Sequence, residues 1–380
     1  MKIVSIEPTP SPHSMKININ ETLPDGQSAN YKSGDHVETA PNIIQQLLKI
    51  EGVKGLYHVA DFLALERHPK VAWESILPEV RSVFGQTEEV TSTQASSVTD
   101  EEDPYKEIKV FLQMYRDIPI QIKLQEGEEE HRVGLPSEFM DAVMKASADS
   151  PSFVMERKWV EQSTRYGTVD EIGKEVKEEI LASYDVERLE KLVHLALESE
   201  SIEETKPTET VSSLLNAFYS KDWKVRYAAL DKMDPTFETI PVLEKALQDE
   251  KASIRRLATA YLGMIEEPEV LPYLFIALKD KAVTVRRTAG DCLSDLGFKE
   301  AMPNVIESLK DSNRLVRWRA AMFLFELGDE TALKALKEAA DDPEFEVRMQ
   351  IKLAIERIEG GEEAKGSVWH QMTQATKNNQ

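Results

Sequence analysis

Side chains that could ligate a metal or act as nucleophiles are few and scattered in this sequence. The chain of 380 residues has one cysteine, Cys292, and seven histidines. The histidines lie at positions 13, 36, 58, 68, 131, 194 and 370, and no two of them have the spacing that places two ligands on one helix face. One cysteine can form neither an internal disulfide nor an all-cysteine metal site. We therefore expect no metal, no cofactor and no catalytic residue.

The charge of the chain disfavours nucleic acid as a partner. It has 46 Lys and Arg against 68 Asp and Glu, which gives a formal net charge of −22. A field of that sign repels phosphate backbones. The first residues show no secretory signal, and the longest apolar stretch, residues 270–278, contains a proline and is too short to span a bilayer. The sequence predicts a cytoplasmic protein without membrane contact.

An internal repeat is the strongest pattern in the chain. Four aspartates recur every 31 residues, and an arginine follows each of them six residues later. They are Asp249, Asp280, Asp311 and Asp342, followed by Arg255, Arg286, Arg317 and Arg348. After each arginine, apolar residues recur at the spacing of an amphipathic helix, and a shorter helix then begins near a proline. The pattern predicts five helix pairs over residues 211–359.

This stretch resembles the HEAT family, and its short period is most similar to the HEAT-like repeats of phycobilisome lyases. The resemblance implies an all-α solenoid in which each helix pair buries its apolar face against the next pair. We expect the aspartates to cap helix N-termini and the arginines to bridge to the neighbouring turn. Cys292 falls at a core position of its helix, so we expect it to be a small buried hydrophobe rather than a nucleophile.

One position on the longer helices is the candidate binding surface. It lies two residues after the first buried Val or Ile, and at ~100° per residue it points roughly opposite to the core. In successive copies it is occupied by Tyr227, Arg256, Arg287, Trp318 and Met349, with Arg319 beside Trp318. None is acidic, and these residue types are enriched in interface hot spots. We predict an exposed ridge that binds a protein partner; the alternative is that Trp318 packs on a neighbouring repeat or loop.

The front of the chain, residues 1–85, has the pattern of a small α+β domain. Strands are predicted at 3–7 and 15–20 and on both sides of Asp61, with a closing helix over 71–84. The stretch is similar to the N-terminal domain of Nfu-type iron–sulfur scaffold proteins, on residues 9–12 (TPSP), 15–16, 41–53 (PNIIQQLLKIEGV), 61–62, 73 and 77–78. The resemblance implies a protein-docking role near iron–sulfur assembly. In that family a separate domain with a Cys-x-x-Cys pair holds the cluster, and this chain has no such pair.

Residues 104–200 predict a second α+β unit. Strands are expected at 107–115 and 118–124, and helices at 136–147 and 170–197. An acidic flexible linker is predicted at 86–103 and a polar tail at 360–380. Cations lie beside aromatic residues at 153–159 and 165–167. They either bind an acidic partner or form a strand whose long side chains cover the helices, and we favour the second interpretation.

The fold class predicted is thus an α+β N-terminal half of two small units, followed by an all-α HEAT-type solenoid. The order of these parts resembles the conserved virulence factor C family of Gram-positive bacteria, which offers no catalytic motif to transfer to these residues. We expect a non-enzymatic scaffold or adaptor that mediates protein–protein interactions, linked to iron–sulfur protein maturation or virulence regulation. The alternatives are a HEAT-repeat enzyme of the lyase or DNA base-excision type, and a nucleic-acid-binding regulator. The first needs a pocket with an acid, base or thiol, and the second needs clustered Lys and Arg on one face.

Overall fold

The computed structural model describes residues 1–9, 11, 13–24, 27–34, 40–85, 107–127, 129–148, 152–198 and 210–361. The contacts divide the chain into two units, Met1–Tyr105 with Lys299–Gln380, and Lys106–Phe298. The predicted linker at 86–103 lies outside the described residues, as does the predicted tail beyond Gly361. Both remain predictions.

The first unit begins with a five-stranded antiparallel sheet. Its strands are β1 (Ile3–Pro8), β2 (Ser14–Ile19), β3 (Ser28–Lys32), β4 (Val53–Val59) and β5 (Phe62–Arg67), and its helices are α1 (Asn42–Leu47) and α2 (Trp73–Val83). The strand order is β1-β2-β5-β4-β3. Burial alternates along β2 and β5, so that one face of the sheet shares a core with both helices. We call this the N-terminal domain; the sequence had not predicted β3.

The second unit also begins with an antiparallel sheet. It consists of β6 (Glu107–Tyr115), β7 (Ile118–Glu126), β8 (Glu129–Gly134) and β9 (Arg157–Tyr166), with helices α3 (Ser137–Ala146), α4 (Phe153–Glu156), α5 (Val169–Ser183) and α6 (Val186–Leu197). The strand order is β8-β7-β6-β9, and apolar residues of α3, α5 and α6 share a core with β6 and β7. We call this the middle domain. The single helix predicted at 170–197 is two helices, because Asp185 accepts a hydrogen bond from the Arg188 amide and caps a new helix there.

Three helix pairs complete the second unit. They are α7 (Val211–Ala217) with α8 (Trp223–Asp231), α9 (Ile240–Ala246) with α10 (Ala252–Gly263), and α11 (Leu271–Ala277) with α12 (Val283–Leu296). The predicted apolar stripe is buried, as Ile254, Ala258 and Leu262 of α10 show. Prolines occupy the first turns of α9 and α11, where a missing amide hydrogen costs no helical hydrogen bond.

Two further helix pairs belong to the first unit. They are α13 (Met302–Ser308) with α14 (Arg314–Leu327), and α15 (Leu333–Glu338) with α16 (Phe345–Glu359). Their apolar stripes are buried in the same register, for example at Val347, Ile351 and Ala354 of α16. The predicted fold class, two small α+β units followed by all-α HEAT-type repeats, is confirmed.

The recurrent aspartates and arginines form an Asp–Arg ladder. Arg226, Arg255 and Arg317 donate to Asp249, Asp280 and Asp342 of the next pair, each with an Nε to Oδ2 distance of 2.6 Å. The Nη1 of each arginine donates to the backbone carbonyl six residues before it. The predicted bridging role is confirmed for Arg255 and Arg317. The predicted N-cap role is wrong for all four aspartates. The Oδ1 of each accepts from the amide of the residue two positions later, which is itself the N-cap of the longer helix, as for Asp249, Asp280, Asp311 and Asp342.

Candidate functional site

The candidate ridge is buried rather than exposed. Its members follow the ladder arginines by one residue, and we call them the repeat row: Tyr227, Arg256, Arg287, Trp318 and Met349. The first four are between 3% and 7% exposed, Met349 is half-buried, and the neighbouring Arg319 is also buried. The prediction of a solvent-exposed ridge is therefore wrong. For all but Trp318 and Arg319, the cover comes from the α+β domain of the same unit.

In the second unit, Glu179 of α5 lies between two arginines. Its Oε1 accepts a hydrogen bond from Arg256 at 3.0 Å, and its Oε2 accepts one from Arg165 at 2.8 Å. None of the three side chains is more than 13% exposed. Burial alone would raise the pKa of Glu179, but the charges of Arg256 and Arg165 hold it below its usual value. The carboxylate therefore stays ionised at neutral pH and pairs with the repeat row.

Tyr227 lies beside this cluster, because α5 packs on α8. Burial, and after it the charge of Glu179, raises the pKa of the Tyr227 phenol well above its usual value. The phenol is therefore un-ionised near neutral pH. Its ring meets Trp223 edge-on, with ring centroids 6.1 Å apart.

Two further contacts join the middle domain to the repeats of the second unit. The guanidinium of Arg287 lies over the ring of Tyr166, 2.9 Å from its centroid. The ammonium of Lys251 donates to Glu178 of α5 at 2.8 Å. Three cations from α10, α12 and the turn before α10 thus meet carboxylates or an aromatic ring of the middle domain, and cation–ring contacts of this kind strengthen when they are desolvated.

In the first unit, helix α16 is held by the N-terminal domain through a buried ion pair. Arg67 at the end of β5 is 1% exposed, and its Nη2 lies 3.2 Å from Oε1 of Glu346. The same guanidinium lies over the ring of Trp73, 5.6 Å from its centroid. Phe345 and Met349 of α16 pack against the core of this domain. Met349 of the repeat row is therefore half-buried by the N-terminal domain.

The Asp–Arg ladder ends on the same domain. Arg348 follows Asp342 by six residues and donates to its carbonyl oxygen at 2.7 Å, as the earlier ladder arginines do. Its Nη2 donates to Glu74, in the first turn of α2, at 3.1 Å. The N-terminal domain thus supplies the carboxylate that a following repeat would supply. Terminal repeats need such a cover because their stacking face would otherwise be open to water.

Trp318 and Arg319 are buried within the first unit. Trp318 is 3% exposed, and the guanidinium carbon of Arg319 lies 5.1 Å from its ring centroid. Arg319 also approaches the sulfur of Met322, at 3.7 Å. This burial fits the alternative prediction, in which Trp318 packs on a neighbouring repeat or loop.

Three family models match successive parts of the chain. They are the N-terminal domain of the scaffold proteins Nfu and NifU over residues 4–90, the virulence factor model over 113–193, and HEAT repeats over 211–289 and 274–356. A Bacillus subtilis relative, uncharacterized protein YpgR, is 58% identical over 99% of both chains. Conserved virulence factor C of Staphylococcus aureus strain bovine RF122 is 50% identical over 99% of this chain and 100% of its own.

The chain belongs to the conserved virulence factor C family. The family predicted from the order of the three parts is thereby confirmed. Among solved structures, the chain matches the X-ray structure of protein SAV1430 from Staphylococcus aureus. The match covers 22% of this chain and 99% of that protein, with 39% sequence identity and a TM-score of 0.21.

The potential metal ligands that the structure describes do not gather at one place. Among the described residues, no group of three or more His, Cys, Asp and Glu side chains is placed to hold a metal ion. Cys292 is buried in α12, its thiol donates to the carbonyl of Thr259, and burial raises the pKa of that thiol. Within the described ranges, no helix is both long and apolar enough to cross a membrane.

The cations and aromatics of the middle domain divide between two places. Trp159 of β9 has Lys123 4.7 Å and Arg132 5.7 Å from its ring centroid, all on the strands of the sheet. Arg165 and Tyr166, at the end of the same strand, instead contact α5 and the repeats. The predicted strand is present as β9, but the long side chains around Trp159 cover the sheet rather than the helices.

Sequence reasoning missed the partners of the repeat row. Glu179 falls on the buried side of α5 with Ile172, Val176 and Ile180, so a carboxylate in an apolar stripe was a visible signal. Such a residue must find a partner on folding, because an unpaired buried charge is costly. For Arg67, in the sheet, no comparable helical pattern exists.

Proposed function

We propose that this protein is a non-enzymatic scaffold that mediates protein–protein interactions, in which the HEAT-type repeats hold the N-terminal and middle domains for their partners. One observation carries the proposal. Residues at one repeated position, including Tyr227, Arg256, Arg287 and Met349, bind the chain's own α+β domains instead of lining a pocket. Repeats used in this way act as a frame.

The contacts that fix the domains are suited to specificity. A buried ion pair gains little net stability, because desolvation offsets most of the attraction, but it favours one arrangement over others. Glu179 and Arg256 form such a pair in the second unit, and Arg67 and Glu346 form another in the first. Each domain therefore meets the repeats at one defined place within its own unit.

The proposed role lies in virulence regulation or in iron–sulfur protein maturation. The match of residues 4–90 to the N-terminal domain of Nfu and NifU scaffold proteins supports the maturation role. The one thiol of this chain, that of Cys292, is buried and has a raised pKa, so it is a poor ligand for a cluster. The N-terminal domain would accordingly bind a protein that carries the cluster.

Affinity capture tests the proposal. The full chain is immobilised and incubated with nuclease-treated cytosol of a Gram-positive bacterium, and bound proteins are identified by mass spectrometry. The control bait is an unrelated folded protein of similar negative charge. We expect a protein partner in near-stoichiometric amount on the full chain only. Capture of nucleic acid from untreated cytosol, lost at moderate salt and without any such protein, would contradict the proposal.

A further inference from the structure

Helix α5 has two adjoining faces that serve different partners. Ile172, Val176 and Ile180 lie in the core of the middle domain. Glu175, Glu178 and Glu179, spaced i, i+3 and i+4, form an acidic face beside that apolar face. Glu178 and Glu179 bind cations of the repeats, and Glu175 lies 3.6 Å from Arg165. Two of the three carboxylates, those of Glu178 and Glu179, thus bind the repeats, and the charge of Glu175 acts on Arg256.

The repeats offer a matching set of cations. Arg256 and Lys251 bind the carboxylates, and Arg287 lies over Tyr166, nine residues before Glu175 in the sequence. These three cations would bind selectively a helix whose carboxylates have the spacing seen in α5 and which follows an aromatic residue. The contact with the middle domain therefore indicates which groups these repeat cations bind, namely carboxylates and an aromatic ring.

The contact is suited to exchange. The Nε atoms of Arg256 and Arg165 have no hydrogen-bond partner among the described residues, so the cluster has donors to spare. The outer pair, Lys251 with Glu178, is about one-third exposed on both sides and is open to competition from solvent. A second carboxylate-bearing helix would therefore replace these ion pairs with equivalent ones.

We infer that Lys251, Arg256 and Arg287 form a binding site for an acidic amphipathic helix of a partner protein, and that α5 occupies this site until such a helix displaces it. The inference rests on the proposed scaffold function and specifies the partner class. The partner segment has carboxylates at i, i+3 and i+4, preceded by an aromatic residue. Binding of the partner releases the acidic face of α5 from the repeats.

A labelled peptide with the sequence of residues 165–184 tests the inference on the full chain. Fluorescence anisotropy measures its dissociation constant for wild type and for the variant E178Q/E179Q, in which the internal competitor is weakened. We expect at least tenfold tighter binding to the variant, because a tethered competitor acts at high effective concentration. Adding Arg256→Ala to that variant should abolish the gain. A peptide in which Glu175, Glu178 and Glu179 are replaced by glutamine should bind at least tenfold more weakly.

The outcomes separate this inference from the proposed function. Equal peptide binding by wild type and variant, or binding that is insensitive to Arg256→Ala, overturns the inference. If E178Q/E179Q does not unfold cooperatively, E178Q alone is used. We then expect about a threefold tighter binding of the peptide, because the Lys251–Glu178 pair is partly exposed. Unchanged peptide binding by E178Q would contradict the inference. Partner capture with no peptide binding overturns only the inference. Peptide binding with no captured protein overturns the proposed function.

Discussion

Three arginines of the Asp–Arg ladder each join two helix pairs through one planar group: Arg226, Arg255 and Arg317. Arg255 donates to both carboxylate oxygens of Asp280, at 2.6 and 2.9 Å, and also to the carbonyls of Asp249 and Glu250. A guanidinium suits this place because its fixed fork serves a carboxylate and a carbonyl together. A lysine has no such geometry.

Removal of Arg255 should therefore destabilise the chain much more than removal of a solvated cation. Arg255→Ala leaves a half-buried carboxylate and two carbonyls with fewer donors, and we expect a loss of ~1 to 3 kcal/mol in the free energy of unfolding. Lys281→Ala, at an exposed residue of the next turn, is the control and should change it by less than ~0.5 kcal/mol. Urea unfolding measures both. Equal losses would show that the ladder contributes no stability.

The ladder also predicts a dependence on pH. Burial would raise the pKa of Asp280, but the hydrogen bonds from Arg255 and the Ala282 amide and the charge of Arg255 together outweigh it, and the pKa lies below the ordinary 3.8. A carboxyl with a lowered folded pKa contributes stability above its unfolded pKa, and this is lost as pH falls through the folded pKa. Asp280→Asn should thus cost ~1.5 to 3 kcal/mol at pH 7 and progressively less below about pH 3.8. Unfolding at several pH values, with exposed Asp341→Asn as control, checks this; a constant difference would be inconsistent with it.

The types of the repeat-row residues were a better guide than their angle on the helix. Period 3.6 places Trp318 and Arg256 opposite the repeat core, which predicted exposure. Both are buried, Arg256 by Glu179 of the middle domain, 77 residues away in sequence. A local pattern cannot show such a contact. The absence of acidic residues in the repeat row nevertheless indicated an interface, and for Arg256 that interface lies within the chain.

Among the elements, α16 has the most demanding position, because it belongs to the last repeat and also contacts the N-terminal domain. Phe345, Glu346 and Met349 lie on one side of its first turns and meet that domain, while Val347 and Ile351 belong to the repeat stripe. One helix therefore carries two buried faces. Its fit to the N-terminal domain depends on the pairing of Arg67 with Glu346.

Loss of the Glu346 carboxylate should loosen this contact. Glu346→Ala removes the negative charge beside a guanidinium that is 1% exposed, and we expect a cost of about 3 kcal/mol. Hydrogen exchange of the α2 amides and urea unfolding measure the effect. Glu356→Ala, at an exposed residue of the same helix, is the matched control. If both variants behaved alike, the buried pair would not hold α16.

The elements that sequence reasoning placed well have strong local patterns. The repeat helices follow from the apolar period, and β6 and β7 from alternation. The break between α5 and α6 was missed, although Asp185 is a typical N-cap and the buried face changes after it, from Val176 and Ile180 to Leu189 and Leu192. Strand β3 was missed because only its pairing with β4 defines it: its burial alternates between exposed and intermediate residues.

At the scale of the whole molecule, each α+β domain is part of the repeat framework within its own unit. In the second unit the middle domain covers three members of the repeat row, and in the first unit the N-terminal domain receives the last ladder arginine. A domain held in this way shares the stability of its repeats, because each contact links both cores. Local unfolding of the domain is then coupled to local unfolding of the repeats.

Native-state hydrogen exchange on the intact chain tests this coupling most directly. Arg256→Ala removes the contact from α10 to Glu179, and we expect the slowest amides of α5 to exchange at least tenfold faster than in wild type. Lys224→Ala, at an exposed residue of α8, should leave those rates unchanged. An Arg256→Ala protein in which α5 keeps the wild-type exchange rate would show that the repeats do not hold the middle domain, and would contradict the account.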